Sequence, residues 1–274
     1  MSSRIQKLGV AVGKKGVGKT YTTNKEIYQY LIGNPSKGVP GRRVLILDVN
    51  DEFENVKSIP LEYIQAFSVH PNIEARRIRP FHSNGIPMSL DEVANALFYT
   101  LHNFKGGMLL IEDVNKYISD NMPNDLIGAI CTNRHSNLDI MLHYQSIGRI
   151  NPKVWQNVNY IRFHKNTDSV EKHKNKFEDK YEMLTLCENI VNRQYITNPR
   201  FYTYVDIDEE KIRGNITMEM VNKSIDDYIQ SNYSKLISPL LKQVDLSKPK
   251  NTKNYTQSEA IKSVKERLLQ SYFL

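Results

Sequence analysis

Cysteine is scarce in this chain, with two among 274 residues, Cys131 and Cys187. They lie far apart and show no C-x-x-C or Cys/His spacing, so neither a zinc site nor a disulfide framework is indicated. A reducing interior is the expected compartment. Any run of about eighteen apolar residues, the length that spans a bilayer as a helix, is also missing. Met1-Ser2-Ser3-Arg4 leads into a strand-like segment rather than the apolar core of a signal peptide. The expectation is therefore a soluble cytoplasmic protein without membrane insertion. No internal repeat is visible. Acidic residues are the minority charge, 30 against 37 lysines and arginines, giving a formal +7. That balance suits a polyanionic partner without selecting one.

What is present starts with glycine at fixed spacing. Gly13-Lys14-Lys15-Gly16-Val17-Gly18-Lys19-Thr20 fits the Walker A template G-x-x-x-x-G-K-[ST], between the apolar run Leu8 to Val12 and a helix-like segment. Glycines let the backbone fold tightly, so that several N–H groups point at phosphates, and the following helix adds the positive end of its dipole. Lys19 is placed to reach the β/γ-phosphates of ATP. Thr20 is placed to put its hydroxyl on Mg²⁺, an ion that binds through few protein groups together with waters and phosphate oxygens.

Residues 5–12 read as a first strand and 19–32 as a helix stopped by Gly33-Asn34-Pro35. Val44-Leu45-Ile46-Leu47-Asp48 is a continuous apolar run, typical of a strand buried on both faces. Residues 89–103 carry apolar positions at helical spacing, with Ser89 and Glu92 as a capping box, and Gly106-Gly107 ends the helix. Two further buried strands follow, Met108 to Ile111 and Ile140 to Tyr144. Strands alternating with helices predict an α/β fold with a mainly parallel central sheet, its ligand at the carboxyl ends of the strands.

Beyond Phe163 the pattern changes. Residues 168–186 read as a charged helix, and Gln194-Tyr195-Ile196 with Arg200 to Val205 read as a hairpin turning at Asn198-Pro199. The expected organisation is an ATPase core over residues 1–205, a helical extension over 206–244, a linker over 245–257 and a final amphipathic helix over 258–274. In that last helix Ile261, Val264, Leu268 and Tyr272 form an apolar stripe that needs a cover. Either the chain's own ATPase domain or a neighbouring subunit provides it, or a groove on a portal, capsid or membrane channel partner does.

Turning over ATP requires acids near the phosphates. Glu112 and Asp113 follow the strand Met108 to Ile111, and alternation along a strand sends the two carboxylates to different tasks. By position Glu112 is the Mg²⁺-side acid and Asp113 the water-activating one. The usual Walker B order is Asp then Glu, the reverse of this one. Gln145 ends the next strand, where its amide can both donate to and accept from a water near a γ-phosphate. Arg134, just before that strand, can offer a guanidinium to phosphate, within its own subunit or across an interface. Arg76, Arg77 and Arg79 are candidates either to line a DNA path or to sit in a solvated loop.

This order resembles the FtsK/HerA superfamily of P-loop ATPases: Walker A, a strand ending in Asp48 with Asn50-Asp51-Glu52 after it, an acidic Walker B, an arginine, then a strand ending in glutamine. Asn133 to Ser146 looks like that superfamily's arginine and sensor-glutamine region, and the resemblance covers roughly residues 5–165. It implies a P-loop NTPase of the additional-strand (RecA/ASCE-like) type with a C-terminal helical extension. It also implies a homo-oligomeric ring, pentamer or hexamer, with ATP and Mg²⁺ at subunit interfaces and DNA held by its backbone in a central pore. Superfamily members include chromosome translocases, conjugation and secretion motors and viral genome-packaging ATPases; the compact length looks most like the last, which implies the host-cell cytoplasm, with virion association as a further option. Two other readings stand beside it. One is an assembly or export motor like the zonula-occludens-toxin-like proteins of filamentous phages, which normally carry a membrane segment. The other is a nucleotide-switched partition protein of the ParA type, for which Lys14 or Lys15 would mimic an early P-loop lysine.

Overall fold

The computed structural model describes residues 5–116, 128–130, 136–243 and 254–274. Two compact units are formed, Met1–Asp168 and Ser169–Leu274.

In its described residues the first unit carries six strands of a central sheet, among which those that read as continuous apolar runs are buried. The strands are β1 (Leu8–Val12), β2 (Arg43–Leu47), β3 (Ala75–Ile78), β4 (Gly107–Ile111), β5 (Asp139–Tyr144) and β6 (Tyr160–His164). They lie parallel in the order β6-β1-β5-β4-β2-β3. β5 stands between the P-loop strand β1 and the acidic strand β4, which makes this the additional-strand arrangement. The register pairs Val12 with Tyr144 on one side and with Phe163 on the other. The carboxyl ends of β1, β5 and β6 are thereby level with one another.

Among the described residues, the long helices of this unit are α1 (Lys19–Ile32) and α3 (Leu90–Asn103), and a short helix α2 (Ile64–Val69) lies between them in sequence. Strand alternation puts Ala11, Val44, Ile46, Met108, Leu110 and Met141 into one cluster with Ile27 of α1, while Tyr30 and Leu31 pack against it. Burying such side chains contributes about 1.5–3 kcal/mol each. The expected capping box holds α3: Ser89 Oγ accepts from Glu92 N–H at 3.3 Å, and Glu92 Oε2 accepts from Ser89 N–H at 2.8 Å.

β3 was not expected, because its sequence Ala-Arg-Arg-Ile is half cationic. Its charges are matched locally. Arg76 pairs with Glu74 at 2.7 Å, Arg77 with Asp48 at 2.7 Å and Asp51 at 2.6 Å, and Arg79 with Asp51 at 2.7 Å. These three arginines are ion-paired on and beside a strand, not carried on a solvated loop.

The second unit contains α4 (Tyr181–Tyr195), α5 (Met218–Ser231), α6 (Gln257–Tyr272) and a hairpin of β7 (Tyr202–Asp206) with β8 (Lys211–Arg213). The hairpin anticipated around Asn198-Pro199 does not form. Gln194 and Tyr195 extend α4 instead, because Leu184, Cys187, Ile190 and Val191 give that segment a buried helical face that overrides β-propensity. β7 turns toward β8, with Val205 opposite Ile212. The charged segment read as one helix from 168 is a series of short turns before α4.

α6 begins at a capping box of Thr256 and Glu259 and buries Ala260, Val264 and Leu268. Arg267 donates to both oxygens of Glu182 on α4, at 2.7 and 3.1 Å, and the Tyr272 hydroxyl adds a third bond at 3.0 Å. The stripe therefore finds its cover within its own unit. Most of the expected linker lies outside the described residues. Among the described residues no helix is long and apolar enough to cross a membrane.

Candidate nucleotide site

Leaving β1, the chain is fastened to both neighbouring strands. Gly13 N–H donates to the Tyr144 carbonyl at 3.2 Å, and Lys14 N–H donates to the Lys165 carbonyl at 2.8 Å. Gly13 sits at φ 156°, and a Cβ there would lie 2.6 Å from the Cβ of His164, so a side chain would break this close approach. Gly18, at φ 83°, turns the loop into α1. Val17 is buried under the loop, whereas Lys15 is exposed.

Lys19 Nζ donates to the carbonyls of Gly13 at 2.5 Å and Lys14 at 3.1 Å, so the ammonium lies across the cradle of its own loop. Burial lowers its pKa, against the pull of Asp113, Glu52 and Glu112. Thr20 Oγ1 donates to Glu52 Oε2 at 2.8 Å.

Beneath the loop lies a polar network that sequence reasoning missed. Arg162 on β6, fully buried, donates to the Lys19 carbonyl at 3.1 Å and to Thr23 Oγ1 at 2.5 Å, and pairs with Glu26 on α1. Thr23 Oγ1 in turn lies 2.9 Å from His143 Nε2 on β5. The available signal was an arginine in the middle of β6 and a histidine near the carboxyl end of each of β5 and β6, in buried strands. A charge so placed needs partners on the facing helix.

Asp48, at the end of β2, is fully buried and accepts from the N–H groups of Glu52 at 2.9 Å and Phe53 at 3.0 Å. The Glu112 carboxyl, also buried, is pushed up to about 9, by burial first and then by Glu52, Asp48 and Asp113. Asp113 adopts φ 44°, a left-handed conformation rare for a non-glycine residue. That backbone separates it from Glu112 and directs it at Gln145, whose Nε2 donates to both Asp113 oxygens at 3.0 and 3.1 Å. Among the sequence-predicted site residues, the fold thus brings Asp113 and Gln145 into contact and sets Glu112 and Lys19 within electrostatic reach. Arg134 lies outside the described residues.

Hard oxygen donors converge where a divalent cation is expected, with the Thr20 hydroxyl on the Glu52 carboxylate and Glu112 nearby. The donor chemistry fits Mg²⁺. Among the described residues no group of three or more His, Cys, Asp or Glu side chains is arranged to hold a metal ion. Phosphate oxygens and waters would have to complete the shell.

Strand order, P-loop and strand-terminal acids together define a P-loop NTPase fold of the additional-strand type. Solved structures with this fold include the genome packaging NTPase B204 of Sulfolobus turreted icosahedral virus 2. In complex with AMP it superposes at TM-score 0.52 with 15% identity, covering 77% of this chain and 98% of that one. Its complex with ATP-gammaS gives TM-score 0.53 at 14% identity over the same shares. B204 of Sulfolobus turreted icosahedral virus, described as a DNA-packaging ATPase, gives 0.50 at 16% identity, again over 77% and 98%. No family model matches the chain, and no curated protein matches it in sequence.

Proposed function

We propose that this chain is an ATP-hydrolysing motor that moves DNA, of the viral genome-packaging type, working as a homo-oligomeric ring. The carrying observation is the Asp113–Gln145 contact, made between the ends of β4 and of the additional strand β5, with Asp113 within electrostatic reach of Lys19. The fold shared with B204 supports the packaging assignment.

In this reading the loop N–H groups and Lys19 bind the β/γ-phosphates, with the lysine exchanging its carbonyl partners for phosphate oxygens. Thr20, Glu52 and Glu112 form the cation-side wall. Mg²⁺, when bound, neutralises charge building on the phosphate oxygens. Asp113 takes the proton of the attacking water, and Gln145 orients that water against the γ-phosphate. Arg134 stabilises the same transition state from a neighbouring subunit.

The test is ATP turnover with and without DNA, together with directed movement along it. A motor shows DNA-stimulated hydrolysis and translocation, both lost in Lys19→Ala with the fold retained. Nucleotide-dependent DNA binding without movement would make the chain a switch and overturn the motor reading. In verified mixed rings, Arg134→Ala subunits combined with Lys19→Ala subunits regain part of the activity if the arginine acts in trans. No rescue with both parents inactive removes that role.

A further inference from the structure

Asp113 is held by more than Gln145. Asn50 Nδ2 donates to its Oδ2 at 2.9 Å, and Lys116 Nζ lies 3.5 Å from the same oxygen. Lys116 Nζ also donates to Asn50 Oδ1, closing a three-membered ring of side chains. Each member is placed by its own backbone. After the left-handed Asp113 the chain enters a short 3₁₀ turn, Val114–Lys116, in which Lys116 N–H donates to the Asp113 carbonyl at 2.8 Å. The turn folds the lysine back over the carboxylate it follows.

Asn50 is set from the other side. Its neighbour Asp51 has φ 58° and is clamped by Arg77 at 2.6 Å and by Arg79 at 2.9 and 2.7 Å. The arginines beside β3 thus fix the loop that presents the Asn50 amide.

We infer that Asn50 and Lys116 are positioning residues for Asp113, holding its carboxylate in the reactive orientation when Gln145 turns to the γ-phosphate. This rests on the reading that Asp113 activates the attacking water. Gln145 Nε2 cannot remain on both Asp113 oxygens and also order that water, so other donors must keep the strained Asp113 in place. Asn50 and Lys116 lie on Oδ2 and leave Oδ1, whose side-chain partner among the described residues is Gln145 at 3.1 Å, for the water.

The experiment uses the full chain. Wild type must hydrolyse ATP, or the hydrolase reading fails, and Asp113→Asn must not, or the reading of Asp113 as the base fails, each independently of Asn50 and Lys116. With that established, Asn50→Ala and Lys116→Met each lower kcat by about tenfold or more while KM and ATP affinity stay within about twofold. The double variant is no more than about twofold worse than the poorer single one, because the two act as one unit. Lys116→Arg, which keeps the cation, restores at least about half of the activity lost in Lys116→Met. If Asn50→Ala does not fold, the isosteric Asn50→Asp replaces it and must show the same loss. Unchanged kcat, a KM rising in proportion, or losses that multiply in the double variant would overturn the proposal.

Discussion

At Glu112 the side chain turns inward toward Asp48 and Glu52, whereas one residue on, a left-handed backbone aims Asp113 at Gln145 and Asn50. A carboxylate that loses its charge without changing shape isolates basicity from structure. Asp113→Asn is therefore expected to bind ATP like wild type and to lose hydrolysis by about 10²–10⁴-fold, the usual range for a general base. Glu112→Gln should instead weaken the dependence on Mg²⁺. Single-turnover hydrolysis with bound nucleotide measured in parallel separates the two, and a trapped Glu112→Gln beside an active Asp113→Asn would exchange the roles. The acid pair and Gln145 were legible because each ends an apolar strand. Asn50, Glu52 and Lys116 were not readable as partners, since their contacts depend on backbone turns at Asp51 and Asp113 that no local pattern announces.

Elements with strong punctuation were legible to the residue. α1 runs from Lys19 to Ile32, between Gly18 and the Gly33 stop. β3 was hidden by its charge, and the end of α4 by β-type residues, because in both cases tertiary pairing outweighed local preference. The same tertiary logic sets a pH dependence in β5 and β6. His164 is pushed down to about 2, by burial first and then by Arg162 and Lys19. His143 is held well below its ordinary value by burial first, then by Arg162, Lys19 and His164. A hydrogen bond from the Thr23 hydroxyl to Nε2 suits a neutral His143.

Below about pH 6.5 the unfolded chain takes up these two protons and the folded chain does not, so stability is present above that pH and is lost as pH falls. Each histidine contributes a slope that approaches about 1.4 kcal/mol per pH unit well below pH 6.5. The raised Glu112 carboxyl works with the opposite sign, so the useful quantity is a difference. Denaturant unfolding of wild type and of His143→Gln/His164→Gln should diverge by about 2.4 kcal/mol between about pH 6 and 5. Parallel slopes would mean that the histidines titrate normally in the folded protein.

On the scale of the whole molecule, every described residue of the candidate site belongs to Met1–Asp168, and α6 belongs to the other unit. The stripe on α6 was legible as helical spacing. What covers it was not, because Glu182 lies some eighty residues away in sequence, at the start of α4. Leu268 is fully buried, and Glu182 lies within reach of Arg267, Tyr272 and Tyr228. Burial alone would raise the Glu182 carboxyl, yet its hydrogen bonds to Arg267 and Tyr272 hold it below the ordinary value, so the contact is electrostatic as well as apolar. Leu268→Ala leaves a cavity and should destabilise the second unit by about 2–5 kcal/mol. Deletion of residues 254–274 should cost more, by uncovering the faces that Ala260, Val264 and Leu268 now occupy. ATP affinity should survive both changes, since neither touches the P-loop. Chemical denaturation followed beside ATP titration checks this pair of expectations. Unaltered stability in Leu268→Ala would show that α6 is not packed as described, and ATP affinity falling in step with stability would show that the nucleotide site depends on the second unit.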